Sequence, residues 1–208
     1  MANLFHCHLY GILDLGYVTK SDVVNTTEAL VHGGVDILQL RAKGLSKEDI
    51  TAMAREILPI TRAGQVPLII NDYPDIALEV GADGVHVGQD DDSVAAARAV
   101  VGDEFIVGKS THSLAQARAA AEEPVDYIGF GPLFATPTKP DYQPIGMEDI
   151  ATVHEDVKIP IFCIGGVKKE NLPTILKHGG QRVAIVSGIL QSPDIAAYIA
   201  HCRSILTP

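Results

Sequence analysis

The sequence predicts one closed (β/α)8 barrel, a ring of eight parallel strands surrounded by helices, spanning residues 1–208. Short runs rich in β-branched apolar residues alternate eight times with longer segments of helical periodicity. No linker rich in Pro, Gly or Ser divides the chain, and 208 residues leave little beyond eight such units. An open dinucleotide-binding sheet is disfavoured, because Leu13-Asp14-Leu15-Gly16 lacks the G-x-G-x-x-G pattern expected after a first strand.

Each predicted strand is a short apolar run that ends in polar or glycine-containing sequence. In chain order the strands are 10–13, 36–40, 67–70, 84–87, 105–107, 127–129, 161–164 and 184–186. The predicted helices lie between them, at 21–32, 46–62, 74–80, 93–101, 113–122, 147–154, 169–177 and 192–206. Ser46 and Ser113 begin two of these helices and are predicted N-caps. The longest interruption, 131–146, contains four prolines and is predicted to be an active-site loop.

Composition excludes several classes of partner. The chain carries 16 Lys+Arg against 26 Asp+Glu, a formal charge of −10, so neither nucleic acid nor an anionic membrane is expected as a main partner. No apolar stretch reaches the roughly 18 residues of a membrane helix. Three cysteines without C-x-x-C spacing indicate neither a disulfide framework nor a zinc site. We therefore expect a cytoplasmic protein, and the sequence leaves open whether it forms a homo-oligomer.

In a barrel, catalytic residues gather where strands end and the following loops begin. After the second strand, alternation places Gln39, Arg41 and Lys43 on one side of an extended segment. An amide and two cations pointing one way suit a phosphate or pyrophosphate, whereas the alternative is a solvated basic loop. Because Gln39 lies within an apolar run, its amide needs a buried partner, and this favours a binding role.

Carboxylates follow the third and fourth strands. Asp72 comes directly after Asn71, and Asp91 ends the run Gly88-Gln89-Asp90-Asp91. Either acid could simply cap the helix that follows it. Because neighbouring strands lie roughly 5 Å apart, the two acids could instead share a cation, and two carboxylates with phosphate oxygens and water suit Mg²⁺.

The remaining strand ends also offer groups that bind anions. Ser110 follows the fifth strand with His112 close by, and the sixth loop contains Thr136, Thr138 and Lys139. The seventh and eighth strands run into Gly165-Gly166 and Val186-Ser187-Gly188, which matches the usual phosphate position of this fold. The sequence thus predicts two anion-binding regions, one for a pyrophosphate and one for a monophosphate.

Taken together, these motifs resemble the thiamine phosphate synthase family, from about Leu9 to Leu190 and in the family's order. The resemblance rests on Gln39-x-Arg41-x-Lys43, Asn71-Asp72, Asp83-Gly84-Val85-His86-Val87-Gly88-Gln89-Asp90-Asp91, Gly108-x-Ser110, Thr136-x-Thr138-Lys139, Ile164-Gly165-Gly166 and Val186-Ser187. It implies a (β/α)8 barrel and a magnesium-dependent transferase. That transferase joins hydroxymethylpyrimidine pyrophosphate to hydroxyethylthiazole phosphate and releases pyrophosphate. One departure, Gly180-Gln181-Arg182, precedes the last strand, where the family usually has a small or acidic residue and glycine.

The resemblance also implies roles for individual residues. The pyrimidine pyrophosphate would be held by Gln39, Arg41, Lys43, Asn71, Ser110 and Lys139, of which Arg41, Lys43, Ser110 and Lys139 are the catalytic candidates. The thiazole phosphate would be held by Thr136, Thr138, Gly166, Val186 and Ser187. Asp72 and Asp91 would bind Mg²⁺.

Two other functions stay open from the sequence. One is a related isomerase acting on the thiazole phosphate alone, for which His112 could move a proton. That reaction would need no pyrophosphate or metal site. The other is a non-catalytic barrel that binds a phosphorylated ligand, which would keep the phosphate contacts without a working metal pair.

Overall fold

The computed structural model describes residues 3–138 and 142–207 and contains the expected closed barrel. Eight parallel strands pair in chain order, and β1 closes the ring by pairing with β8. They are β1 (Leu9–Asp14), β2 (Ile37–Arg41), β3 (Leu68–Asn71), β4 (Gly84–Val87), β5 (Ile106–Thr111), β6 (Tyr127–Phe130), β7 (Ile161–Cys163) and β8 (Val183–Ile185). The predicted fold class is confirmed.

Helices follow the strands on the outside of the ring. They are α1 (Val23–Gly33), α2 (Lys47–Ala63), α3 (Pro74–Val80), α4 (Val94–Val101), α5 (Leu114–Ala121), α6 (Ile150–Asp156), α7 (Leu172–Lys177), α8 (Ser187–Leu190) and α9 (Ile195–Leu206). The hydroxyls of Ser46 and Ser113 accept hydrogen bonds from the backbone N–H groups of Asp49 and Gln116, so both predicted N-caps are present. The predicted helix 192–206 is present as α9, which begins at Ile195, and a short helix that was not predicted, α8, precedes it just after β8.

The fifth strand is longer than predicted. The apolar run ends at Val107, but pairing continues through Thr111, with Gly108 opposite Tyr127 and Ser110 opposite Gly129 of β6. Ladder hydrogen bonds to both neighbouring strands outweigh the low strand propensity of glycine and serine there. Ser110 therefore lies on a rigid strand, whereas the sequence placed it in a loop at a helix start.

The core has two layers. Between the strands and the helices lies a large apolar layer that includes Leu30, Ile57 and Val153. Inside the ring a smaller cluster fills the barrel, with Tyr10, Tyr127 and Phe162 as its largest side chains. Two of these three rings carry a hydroxyl, so the interior can hold polar contacts as well as apolar ones.

The N-terminal side of the ring is covered by a short 3-10 turn, Leu4–His6. Arg182 lies beside this turn and donates a hydrogen bond to the carbonyl oxygen of Phe5, 2.9 Å away. Because β8 begins at Val183, the unusual pair Gln181-Arg182 is at the opposite end of the barrel from the strand ends where ligands bind. None of the helices described over residues 3–138 and 142–207 has the length and hydropathy to cross a membrane.

Candidate active site

One pocket opens at the carboxyl ends of the strands, and most of the predicted binding residues line it. From the proposed pyrimidine set the pocket is lined by Gln39, Arg41, Asn71 and Ser110, and from the proposed thiazole set by Thr136, Thr138, Gly166, Val186 and Ser187. Tyr10, Phe162 and Ile164 are among the apolar residues of its wall. Lys139, which the sequence assigns to the pyrophosphate, lies outside the described residues.

Arg41 is held by a partner that sequence reasoning missed. Its Nη1 donates to Asp14 Oδ2 over 2.7 Å, and the two side chains are 16% and 3% exposed. Asp14 ends β1 directly opposite Arg41 in the strand register, and its other oxygen accepts the N–H of Gly16 at 2.8 Å. The guanidinium is thereby fixed at the pocket wall with further N–H groups available to an anion.

Lys43 forms ion pairs with both acids of the predicted metal pair. Its ammonium contacts Asp72 Oδ2 and lies 3.7 Å from Asp91 Oδ1. Burial raises the pKa of Asp72, the nearby Asp91 carboxylate adds to this rise, and the Lys43 ammonium opposes it. Burial lowers the pKa of Lys43, but the same two carboxylates outweigh it and leave the pKa raised, so the lysine stays charged.

The backbone holds these carboxylates in place. Asp72 adopts a left-handed conformation, with φ of 67°, and its N–H donates to the carbonyl oxygen of His86 at 2.9 Å. Asp91 Oδ2 accepts the N–H of Gly88 at 2.8 Å, so its other oxygen faces Lys43. Asp72 is not the cap of the following helix, because the N-cap position of α3 is Tyr73 and makes no side-chain capping bond.

The donor set fits a hard divalent cation. Asp72 and Asp91 already face one positive charge, and carboxylate oxygens are ligands that Mg²⁺ prefers. Over residues 3–138 and 142–207 no group of three or more His, Cys, Asp or Glu side chains could hold a metal ion.

A second feature that sequence reasoning missed is a polar contact line across the barrel interior. Gln39 Nε2 donates to the Tyr10 hydroxyl, which is 2.9 Å from the Tyr127 hydroxyl. The Tyr127 hydroxyl is 2.9 Å from His86 Nδ1, and His86 Nε2 is 2.9 Å from Ser110 Oγ. The amide of Gln39 thus has the buried partner that its position in an apolar run demanded.

The glycine pair after β7 allows two backbone segments to approach closely. Gly165 and Gly166 have φ of 90° and 64°, and a Cβ on Gly165 would lie 2.3 Å from Pro132 Cα. The N–H groups of Leu133 and Phe134 donate to the carbonyl oxygens of Ile164 and Gly165 at 2.8 and 3.0 Å. The loop after β6 is therefore joined to the loop after β7 at its start.

The loop after β6 carries the two predicted threonines to the pocket. Thr138 Oγ1 lies 2.9 Å from the hydroxyl of Tyr17, which belongs to the loop after β1. Thr136 Oγ1 accepts the N–H of Thr138 at 3.3 Å. Tyr17 is a further contact to this loop that the sequence pattern did not indicate, because 121 residues separate the two partners.

His112 also lines the pocket and contacts the loop after β6. Its Nδ1 is 2.5 Å from the carbonyl oxygen of Gly131, and its N–H donates to Gln116 Oε1 at 2.7 Å. The ring lies 4.6 Å from the ring of Tyr142, whose hydroxyl donates to Asp90. These contacts connect the loops after β4, β5 and β6 around the pocket mouth.

Comparison with known proteins identifies the family. The family model described as thiamine monophosphate synthase matches residues 9–189. The thiamine-phosphate synthase of Chloroflexus aurantiacus is 38% identical over 208 residues, which is 100% of this chain and 96% of that protein. The thiamine-phosphate synthase of Caldanaerobacter subterraneus subsp. tengcongensis is 40% identical over 190 residues, covering 91% and 88% of the two chains.

A solved structure agrees with these relatives. The thiamine phosphate pyrophosphorylase from Pyrococcus furiosus superposes with a TM-score of 0.88 at 30% identity, over 96% of this chain and 95% of that one. The sequence relatives and the structural relative cover the whole barrel, including every strand end described above. The chain therefore belongs to the thiamine monophosphate synthase family and is a transferase enzyme of thiamine biosynthesis.

Proposed function

We propose that this chain joins hydroxymethylpyrimidine pyrophosphate to hydroxyethylthiazole phosphate, giving thiamine phosphate and pyrophosphate, with Mg²⁺ as the cofactor. One observation carries the proposal: Arg41 and the turns after β7 and β8 line one pocket. Lys43, Asp72 and Asp91 do not line it, but they contact one another directly after Asn71, which does. A site with two anion-binding regions suits two phosphorylated substrates. The names of the relatives support the same reaction.

The pyrophosphate would bind at the cationic rim. Arg41 offers a fork of N–H donors held in place by Asp14, and Lys43 offers an ammonium that contacts Asp72. Lys139 would add a second ammonium from the loop after β6. Mg²⁺ held by Asp72 and Asp91 would neutralise charge on the pyrophosphate and so make it a better leaving group.

The carbon–oxygen bond to the pyrophosphate breaks with its electron pair leaving on oxygen, and the aminopyrimidine ring stabilises the methylene cation that remains. The neutral thiazole nitrogen then donates its lone pair to that carbon, so no proton has to be removed. Arg41 and Lys43 stabilise the charge that develops on the departing oxygens. The chain's task is to bind, orient and exclude water rather than to supply a nucleophile.

The thiazole phosphate would bind on the other side of the pocket. Gly166, with φ of 64°, lines the pocket in the turn after β7, and Ser187, which also lines it, begins α8 just after β8. Thr136 and Thr138 would add hydroxyl donors from the loop after β6. We place the enzyme in the cytoplasm, in keeping with three cysteines that are all buried and free.

The test is an assay of pyrophosphate release by the purified protein with both phosphorylated precursors, with and without Mg²⁺. We expect release that requires both substrates and the metal, and a loss of at least a hundredfold in Asp72→Ala and Asp91→Ala. Asp75→Ala is the matched control, since Asp75 is an exposed acid that pairs with Lys47 at the start of α3. No release by the parent protein would refute the proposal. Near-parent rates in both acid variants would refute the metal assignment, and isomerisation of the thiazole phosphate alone would favour the isomerase.

A further inference from the structure

The chain of hydrogen bonds inside the barrel joins Gln39 to Ser110, and both of these residues line the pocket. It runs from Gln39 on β2 through Tyr10 and Tyr127 to His86 on β4, and it ends at Ser110 on β5. Every link is 2.9 Å, a normal hydrogen-bond length. We call these five residues the floor chain.

The direction that we assign to the floor chain starts from the Gln39 amide, because the two Tyr hydroxyls and the His86 ring could each donate or accept. Gln39 Nε2 donates to the Tyr10 oxygen, so the Tyr10 hydroxyl hydrogen is left for the Tyr127 oxygen. In this direction the Tyr127 hydrogen goes to His86 Nδ1, which accepts. In a neutral imidazole the proton is then on Nε2, and Nε2–H donates to Ser110 Oγ.

Burial keeps the middle of the chain uncharged. Loss of solvent raises the pKa of Tyr10 and of Tyr127 far above the ordinary value, so both hydroxyls keep their protons and can donate. The two ends of the floor chain then offer different hydrogen-bonding groups to the pocket, an acceptor at one end and a donor at the other. Gln39 is left with an amide oxygen that accepts, and Ser110 is left with a hydroxyl hydrogen that it can donate.

Packing fixes the rings that carry the chain. Tyr10, Tyr127 and Phe162 meet pairwise edge to face, with ring centroids 5.3 to 5.7 Å apart. Gly108 faces Tyr127, and a Cβ there would lie 2.1 Å from Tyr127 Cζ and 2.4 Å from its hydroxyl. The glycine of the Gly108-x-Ser110 motif therefore makes room for the ring through which Ser110 is oriented.

We propose that the floor chain orients the Gln39 amide and the Ser110 hydroxyl as one unit, so that the pocket presents an acceptor and a donor in fixed places to the pyrimidine ring. His86, Tyr10 and Tyr127 also line the pocket, and the role assigned to their polar groups is a positioning one, because those groups hydrogen-bond one another and the two end groups. The proposal rests on the proposed function for the identity of the ligand. The direction of the chain does not depend on it.

The direction is tested on the full-length protein without ligand. ¹⁵N NMR of the imidazoles should show His86 with a proton on Nε2 and none on Nδ1, with the signal assigned by its loss in His86→Gln. In Tyr127→Phe the Nδ1 nitrogen loses its donor, and we expect the single tautomer to be replaced by a mixture. A parent protein with the proton on Nδ1 would overturn the proposed direction.

The positioning role of the floor chain is tested by measuring the affinity for the pyrimidine pyrophosphate by isothermal titration calorimetry. Tyr127→Phe should weaken the binding of the pyrimidine pyrophosphate about tenfold, or about 1.4 kcal/mol, with little effect on inorganic pyrophosphate. Thr27→Val is the matched control, because it removes another buried hydroxyl, one that donates within α1. If Tyr127→Phe folds poorly in thermal unfolding, Tyr10→Phe breaks the chain one link earlier and should give the same selective loss.

A double-mutant cycle separates orientation from packing. In the Ser110→Ala background the Tyr127→Phe change should cost less than threefold, because the hydroxyl that Tyr127 orients through His86 is gone and Gln39 keeps its own bond to Tyr10. An equal tenfold loss in both backgrounds, or an equal loss for inorganic pyrophosphate, would overturn the positioning role. A parent protein that does not bind the pyrimidine pyrophosphate would refute the proposed function and this role together, while the tautomer would still decide the direction.

Discussion

The buried pair of Arg41 and Asp14 gives the sharpest prediction for stability. Asp14→Asn keeps the side-chain volume and the acceptor for Gly16 N–H, but it leaves the Arg41 guanidinium without its negative partner. Removing one member of a buried pair costs about 3–5 kcal/mol. Arg41 is 16% exposed at the pocket wall, so we expect the lower end, about 3 kcal/mol. For a chain of this size that corresponds to a fall in melting temperature of roughly 6–12 °C.

Urea unfolding followed by circular dichroism measures this loss, and inorganic pyrophosphate provides a second readout. The anion supplies the charge that the variant lacks, so it should stabilise Asp14→Asn more than it stabilises the parent protein. Asp49→Asn is the matched control, because its pair with Lys20 is about half exposed and should be worth less than about 1 kcal/mol. The double variant Asp14→Leu/Arg41→Met should recover most of the lost stability. A loss below about 1 kcal/mol in Asp14→Asn would refute the treatment of this pair as buried.

Three further outcomes are expected. Gly165→Ala should lower the free energy of unfolding by about 2–4 kcal/mol more than Gly102→Ala does. Both glycines have positive φ, but only at Gly165 would the added Cβ meet backbone atoms. Equal losses in the two variants would contradict this. Tyr17→Phe should raise the KM for the thiazole phosphate about three- to tenfold, because Thr138 loses its hydrogen bond to the Tyr17 hydroxyl. The KM for the pyrimidine substrate should not change. A rise in both KM values would contradict a role limited to the thiazole phosphate. Burial lowers the pKa of His154 to about 4, so the folded protein resists a proton that the unfolded chain accepts near pH 6.5. The free energy of unfolding should therefore fall as the pH drops from about 6.5 to about 4. This fall should be about 2 kcal/mol larger in the parent protein than in His154→Gln. The same pH dependence in both proteins would contradict this.

The fold was predictable because its signals are local. Each strand is a short apolar run and each helix has a regular apolar period, so the number and order of elements could be inferred without knowing any contact. The length of β5 could not be inferred, because Gly108 and Ser110 join the strand only through pairing with β6. The turn α8 was missed for a related reason, since four residues are too short to show a helical period.

The site was predictable where a motif falls at a strand end, as for Lys43 and the two acids that face it. It was not predictable where a partner comes from elsewhere in the barrel. Asp14 faces Arg41 only because β1 and β2 pair in one particular register. Tyr10 and Tyr127 are 117 residues apart and meet only because the sheet closes on itself. No pattern along the chain marks either pairing.

The loop after β6 is anchored at both ends, and this limits what its ordering costs. Near its start Phe134 N–H donates to the carbonyl oxygen of Gly165 at 3.0 Å, and near its end Ile145 N–H donates to that of Pro132 at 2.8 Å. Folding of the barrel therefore already includes the entropy that is lost when the two ends of this segment are brought together. Because doubling the length of such a segment adds only about 0.6 kcal/mol, insertions there would scarcely lower stability. A change of length in this loop would thus alter the contacts at the pocket with little loss of stability in the barrel.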